Sequence, residues 1–230
     1  MSETVSTFLL RRLRAWGVEQ VFGHPGDGIN GMFAAWAKDG AKDGGGGLPR
    51  FVQARHEEMA AFEAVGYAKF SGRLGACTAT SGPGAVHLLN GLYDALLDHV
   101  PVLAVVGQTN RRAMGGAYPQ EVDLMELFKD ICSNYLQMLT VPEQLPNLVD
   151  RAVRTALSGR VPTCIIVPYD VQELEYRPPP QGVQDGPLKP RGHPGAPRGR
   201  RGRGERGRAG RRPRLCHRSI GVLGTRPSYE

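Results

Sequence analysis

The chain has 230 residues, with 29 Lys/Arg against 22 Asp/Glu for a net charge of +7, and 40% of its residues are hydrophobic. That length allows one or two domains, and no apolar run approaches the ~20 residues of a spanning helix, which excludes a helical membrane span. The charge is split: residues 1–176 carry 15 Lys/Arg and 19 Asp/Glu, net −4, whereas residues 177–230 carry 14 and 3, net +11, so the basic character belongs to the tail alone.

Thr4 to Trp16 places Val5, Phe8, Leu9, Leu13 and Trp16 at helical spacing, and Gly17 is a natural stop, so a first helix is expected there. Gln20 to Phe22 reads as a short strand, Gly23 to Gly28 as a turn, and Ile29 to Ala37 as a second helix. Asp39 to Pro49 contains the glycine run Gly44 to Gly47 and reads as a loop. Arg50 to Gln53 is a strand, and His56 to Ser71 a helix whose Ala60, Ala61, Ala64, Val65 and Ala68 allow close packing. Gly75 to Thr80 is a strand, followed by one helix over Pro83 to Leu97 with proline at its start. Val102 to Val106 is apolar throughout, as in a parallel strand covered on both faces. Val122 to Phe128 looks helical, Asn134 to Leu139 is a strand, Val141 opens a helix running to Leu157, and Val161 to Val167 is the last strand.

This βα alternation predicts an α/β fold: an open, mostly parallel sheet with helices on both faces, filling residues 1–176. Ligands of such sheets sit outside the carboxyl ends of strands. His24-Pro25-Gly26, Glu57, Thr80 to Gly84 and Gln108 all fall there. At Arg177 the pattern stops. Pro178-Pro179-Pro180 begins an Arg/Gly-rich stretch without hydrophobic periodicity, so residues 177–230 are expected to form a disordered basic tail. Cys77, Cys132, Cys164 and Cys216 form no CxxC pair and no metal spacing. Three stand in apolar surroundings, where free buried thiols are common, and a reducing cytoplasm is expected. Met1-Ser2-Glu3-Thr4 has neither a basic segment nor an apolar one behind it, so no signal peptide is expected.

Arg55-His56-Glu57-Glu58-Met59-Ala60-Ala61-Phe62 puts a glutamate on the first turn of a helix that is otherwise small and apolar. Acids are common in first helical turns, where they meet the helix dipole; that plain reading covers Glu58 and, taken alone, is the better one for Glu57 too, whereas beside the other segments catalysis is favoured for Glu57. Glu57 is the candidate catalytic group. Thr80-Ser81-Gly82-Pro83-Gly84 is a strand-to-helix turn whose glycines let backbone approach a ligand. Gly26-Asp27-Gly28-Ile29-Asn30-Gly31 also satisfies the dinucleotide pattern. The acidic residue that pattern needs at the end of the next strand is missing, because that strand ends in Gln53-Ala54. His56 and His99 read as structural, and His24 as a pocket-lining candidate. Arg111-Arg112 could hold a phosphate or an acidic partner, but such pairs are more often a solvated face.

These segments together resemble the pyrimidine-binding domain of thiamine-diphosphate (ThDP) enzymes of the pyruvate oxidase and acetolactate synthase group. The resemblance runs over roughly residues 3–175 and is densest from Ser81 to Leu92 and from His99 to Leu103. It implies that Glu57 bonds N1′ of the aminopyrimidine and so favours the form of the cofactor that removes its own C2 proton; a carboxylate does this best in a dry pocket. It implies further that Pro25, Gly26, Thr80, Gly82, Pro83 and Gly84 line the pyrimidine, with His87 and Gln120 nearby. His87 is pyruvate-oxidase-like and Gly107-Gln108 synthase-like, while Pro119 stands where the family has Phe. The family activity is decarboxylation of a small 2-oxo acid such as pyruvate, followed by oxidation through FAD or addition to a second carbonyl. Family members are dimers or tetramers in which a neighbouring subunit's diphosphate domain completes the site.

The resemblance covers only the first of the family's three domains. Gly26-Asp27-Gly28 lacks the downstream Asn-Asn of the Mg²⁺-diphosphate motif, so no metal ligands are expected here, and the Mg²⁺ and FAD sites of a complete enzyme are expected to be absent. The chain alone is then expected to be inactive. For residues 177–230 a reading-frame error is the first expectation, an RGG-like nucleic-acid-binding tail the second, and a solubilising tail the third. A non-catalytic dimerisation or regulatory module is the alternative for the folded part.

Overall fold

The computed structural model describes residues 3–39 and 47–178. The expectations for the tail and the glycine run therefore lie outside the described residues, apart from Arg177, Pro178 and Gly47. The described residues fall within one compact unit, Met1–Lys189. Six strands form a single sheet, β1 (Gln20–Gly23), β2 (Arg50–Gln53), β3 (Gly75–Ala79), β4 (Val102–Gln108), β5 (Leu136–Met138) and β6 (Pro162–Pro168), in the order β2-β1-β3-β4-β6-β5. Every pairing is parallel, so the expected α/β sheet is present.

Alternation along the strands explains why both faces are covered. In β4, Leu103 and Val105 point into one core, and Val102, Ala104 and Val106 into the other. In β6, Ile165 and Val167 oppose Cys164 and Ile166 in the same way. The first core is closed by α1 (Val5–Ala15), α2 (Asn30–Asp39), α7 (Leu145–Gly159) and α8 (Tyr169–Gln172). A buried ion pair ties two of these helices: Arg12 donates to both oxygens of Asp150 at 2.9 and 2.8 Å, and the Trp16 indole donates to the same carboxylate at 2.7 Å. The second core is closed by α3 (Glu57–Ser71), α4 (Pro83–His87), α5 (Leu89–Leu97) and the short α6 (Leu124–Leu127). No helix among the described residues is long and apolar enough to cross a membrane.

Helix α3 is capped at both ends. The His56 ring accepts from the Glu58 N–H at 3.3 Å, and Gly72 closes the helix at φ 70°. Its buried alanines bring it close to its neighbours, and a Cβ at Gly75 would run into the Ala64 carbonyl. One expectation is corrected. The single helix over Pro83–Leu97 is two, parted at Leu88, whose N–H turns back to the Ala85 carbonyl at 3.2 Å. That tightening is a 3₁₀-type bond, which a helical hydrophobic period does not reveal.

Gly91 of α5 sits against α3, where a Cβ would lie 2.5 Å from Ala61 Cβ and 2.8 Å from the Phe62 nitrogen. Gly91→Ala should destabilise the fold by about 1–3 kcal/mol, the usual cost of overpacking. Urea unfolding of the pair of proteins measures it, and an unchanged midpoint would show that α3 and α5 can separate freely.

Candidate functional site

Strand β1 is flanked by β2 on one side and β3 on the other, so the chain reverses direction across the sheet at β1 and β3. Such a switch point opens a crevice at the carboxyl ends of the strands. The loops after β1 and β3 border it, and the start of α3 lies beside them. Thr80 joins the first two: its Oγ1 accepts from the Gly28 N–H at 2.8 Å, and a Cβ at Gly26 would lie 2.5 Å from Thr80 Cβ. Small residues at 26 and 28 are thus required by the approach of the two loops.

Glu57 is the first residue of α3 and only 8% exposed. Its Oε2 stands 3.4 Å from His87 Nδ1 and 4.0 Å from His56 Nε2. Among the described residues nothing donates to Oε1. A Cβ at Gly84 would lie 3.0 Å from that oxygen and 2.6 Å from Thr80 Cγ2, so glycine at 84 keeps it reachable. Glu58, by contrast, accepts from Asn90 Nδ2 at 2.7 Å. The plain reading of Glu58 as a first-turn acid therefore gains one specific partner.

Gln120 reaches the crevice from the loop after β4, which folds through unusual backbone. Gln120 has φ 64°, as does Gly82, where a Cβ would lie 2.7 Å from the Gln120 carbonyl. Ser81 Oγ approaches Gln120 Oε1 at 3.4 Å. Glu121 stiffens the loop by accepting from the Gly115 and Tyr118 N–H groups at 2.5 and 2.9 Å, and these two bonds hold its carboxyl below the ordinary value. A cavity of about 470 Å³ opens here, lined by Gly28, Ser81, Gln108, Thr109, Gln120 and Tyr169 among others.

The expected site residues therefore form two groups. Glu57, Thr80, Gly84, His87 and Gly26 are linked through Thr80 and the carboxylate, whereas Gln120 lines the cavity and Gly82 packs against Gln120. Glu57 does not line that cavity; it faces the side of His56 and His87. Pro25 is exposed on its loop and Pro83 at the start of α4, and His24 bonds the Ala54 carbonyl through Nδ1 at 3.1 Å. A larger cavity, about 540 Å³, runs along the β5 edge among Lys129, Tyr135, Leu136 and Arg151, and includes none of the expected residues. Among the described cysteines, Cys77, Cys132 and Cys164 are free and buried, and burial pushes the Cys77 thiol up to about 12, which makes it inert as a nucleophile.

Two supporting residues carry no signal in sequence spacing. Gln172, fully buried, donates from Nε2 to the Gly28 carbonyl at 2.7 Å and to the Val167 carbonyl at 3.0 Å. The Gly28 peptide is thus held by Thr80 through its N–H side and by Gln172 through a carbonyl. Asp170 accepts from the Arg111 backbone N–H at 3.0 Å and from its Nε at 2.8 Å, while Arg111 Nη1 also reaches the Thr140 carbonyl. This corrects the reading of Arg111 as a solvated cation: it anchors the loop that carries Gln120. Burial raises the Asp170 carboxyl, but the bonds from Arg111 outweigh it and leave the group below its ordinary value.

The family model for the thiamine pyrophosphate enzyme N-terminal TPP-binding domain matches residues 3–127. The chain is 40% identical to Bacillus subtilis YdaP over 158 residues, 69% of this chain and 26% of that protein. It is 40% identical to the Escherichia coli acetolactate synthase isozyme 2 large subunit over 166 residues, 72% of this chain and 29% of that subunit. With the pyruvate oxidase of Lactiplantibacillus plantarum it shares 34% identity over 163 residues, 71% of this chain and 26% of the oxidase. The chain thus spans between a quarter and a third of these relatives.

Gln172→Leu leaves the buried Gly28 and Val167 carbonyls without their donor, which should cost about 1–3 kcal/mol. It should also speed hydrogen exchange of the Gly26–Ile29 amides more than that of β4. Equal protection in both proteins would show that Gln172 does not hold the loop. The Arg111–Asp170 pair gives a pH signature. Because the folded carboxyl lies below 3.8, its stabilising contribution is complete above that value and is lost as pH falls through the folded value. The stability gap between wild type and Asp170→Asn should accordingly close in acid, and a gap independent of pH would contradict the pairing.

Proposed function

The chain belongs to the family of thiamine pyrophosphate enzyme N-terminal TPP-binding domains, and from that premise we propose that it holds the aminopyrimidine of ThDP with Glu57 at N1′. The observation that carries the proposal is the Glu57 carboxylate, buried at the first position of α3 with Oε1 free and only a glycine in front of it. A free oxygen in a largely water-excluded position fits a ring nitrogen that can share a proton, and it needs no other donor from the protein. Gly26, Thr80 and Gly84 supply the small, rigid wall beside it, and Gly82 and Gln120 border the adjoining crevice. Pro25, Pro83 and His87 flank the same loops.

When bound, ThDP supplies a carbon nucleophile that adds to a 2-oxo acid and allows carbon dioxide to leave. This chain's residues orient and tune that chemistry. Glu57 holds or shares the proton at N1′, and burial makes that bond strong because water does not compete for the carboxylate. Thr80 fixes the two loops to each other, so the pyrimidine wall is set before binding. The proposed substrate of the complete enzyme is a small 2-oxo acid such as pyruvate, with oxidase and synthase both compatible with the relatives.

The complete enzyme's Mg²⁺-diphosphate site, and FAD where it is used, are assigned to parts of the relatives that this chain does not span. We assign the domain a homo-oligomeric setting, in which a neighbouring subunit's diphosphate domain covers the Glu57 side. Met59, 51% exposed, and Phe62 and Val86, each 39% exposed, lie on α3 and α4 near Glu57 and support a pairing surface there. A cytoplasmic setting is consistent with three free buried thiols.

In the complete enzyme, Glu57→Gln should lower 2-oxo-acid turnover by about 10²–10⁴-fold, the range expected when a positioned proton-transfer group is lost. Thermal unfolding should move little. Undiminished turnover in the variant would remove Glu57 from the mechanism.

A further inference from the structure

The Glu57 side of the molecule carries a second arrangement that the pyrimidine reading does not use. His56, Glu57 and His87 each offer a ligand atom, and these atoms lie within 4.8 Å of one another. We propose that this trio is a binding site for a divalent transition metal of the Zn²⁺ type. Neither histidine is assigned such a part by sequence spacing: His56 reads as structural and His87 as a neighbour of the cofactor.

The donor set selects the metal class. Two imidazole nitrogens and one carboxylate oxygen suit Zn²⁺, Co²⁺ or Ni²⁺, whereas Mg²⁺ and Ca²⁺ favour oxygen ligands throughout. Geometry agrees. Bonds of about 2.0–2.2 Å place two ligands of a tetrahedral Zn²⁺ roughly 3.4 Å apart. His87 Nδ1 and Glu57 Oε2 are 3.4 Å apart, and His56 Nε2 is 4.0 Å from the same oxygen. The carboxylate is the fixed member, with a side chain 10% exposed, while the imidazoles, 45% and 44% exposed, turn to close the rest, about 0.6 Å for His56 against the carboxylate and up to about 1.4 Å between the two imidazole nitrogens. Their rings already lie together, with centroids 4.3 Å apart. Both open toward solvent, which leaves coordination positions for water.

Two hydrogen bonds oppose this: the one between His87 Nδ1 and Glu57 Oε2, whose proton a metal displaces, and the cap of α3. His56 Nδ1 accepts from the Glu58 N–H, which places the ring proton on Nε2. A metal on Nε2 moves that proton to Nδ1 and gives up the cap at the start of α3. The cap bond is long, at 3.3 Å, and the freed N–H at a half-exposed helix start can turn to water, so the loss is modest beside a third metal bond. Glu58 stays with Asn90 and is not recruited. A metal on Glu57 Oε2 draws charge from the same carboxylate whose Oε1 is proposed for N1′, so metal and cofactor would each weaken the other's hold; that consequence rests on the proposed function, but metal binding itself does not.

The test is calorimetric titration of the metal-free full chain with Zn²⁺, repeated with Co²⁺ as an absorbing probe. All proteins carry Cys216→Ser and His217→Asn, which removes the tail's adjacent donors. His87→Gln removes one ligand, and His56→Asn removes another while keeping an oxygen that can cap α3. Each should weaken binding at least about tenfold, the smaller loss seen even for changes around a metal's ligands. In the unsubstituted site, the imidazole resonances of His56 and His87 should shift together at one equivalent of Zn²⁺. Unchanged affinity in both variants overturns the proposal, and so does a loss confined to one of them, because that is not a three-ligand site. The titration contains no thiamine, so its outcome is independent of the Glu57→Gln turnover test.

Discussion

The position of α3 is the constraint on which the rest depends. Ala60, Ala61, Ala64 and Ala68 are all nearly or fully buried, and glycines at 75 and 91 leave no side chain between α3 and its neighbours β3 and α5. The helix can therefore sit low on the sheet, which draws its first residue under the rim. A carboxylate carried there is desolvated as a result of packing several turns away. A larger residue in the alanine row would lift the helix and return Glu57 to water. The catalytic proposal thus rests on apolar contacts that have no chemistry of their own.

A second constraint holds the opposing wall. The Gly28 peptide is fixed by Thr80 from the loop after β3 and by Gln172 from the segment after β6. The loop carrying Gln120 is fixed by Arg111 against Asp170, two residues before Gln172. The short segment that follows the last strand therefore steadies two of the three loops at the switch point. Most of its influence is exerted through backbone groups, and the residues that touch a ligand need little flexibility to be placed.

Much of this was legible in the chain. Alternating strand and helix periods specify a parallel sheet, and the apolar run of β4 marks its centre. Glu57 stood out as a candidate because a charged residue interrupts a small apolar helix and other loop segments accompany it; what the structure adds is its burial. Thr80 to Gly84 was legible because glycine and proline have few other reasons to meet at a strand end. What was not legible depends on distant partners. Gln172 meets Gly28 across 144 positions, and no local pattern encodes such a pair. The break at Leu88 and the positive φ of Gln120 arise from tertiary packing against local preference. His56 and His87, far apart in sequence, become neighbours only once α3 and α4 are docked.

In the proposed mechanism Glu57 activates the cofactor through N1′. The most direct measurement is the rate of deuterium exchange at C2 of ThDP bound to the complete enzyme, set beside an analogue with carbon in place of N1′. Exchange should be fast for ThDP on the wild type and slow for the analogue. On Glu57→Gln, ThDP should become as slow as the analogue. Fast exchange of ThDP on that variant would contradict the account, because the proton at N1′ would then be managed by some other group.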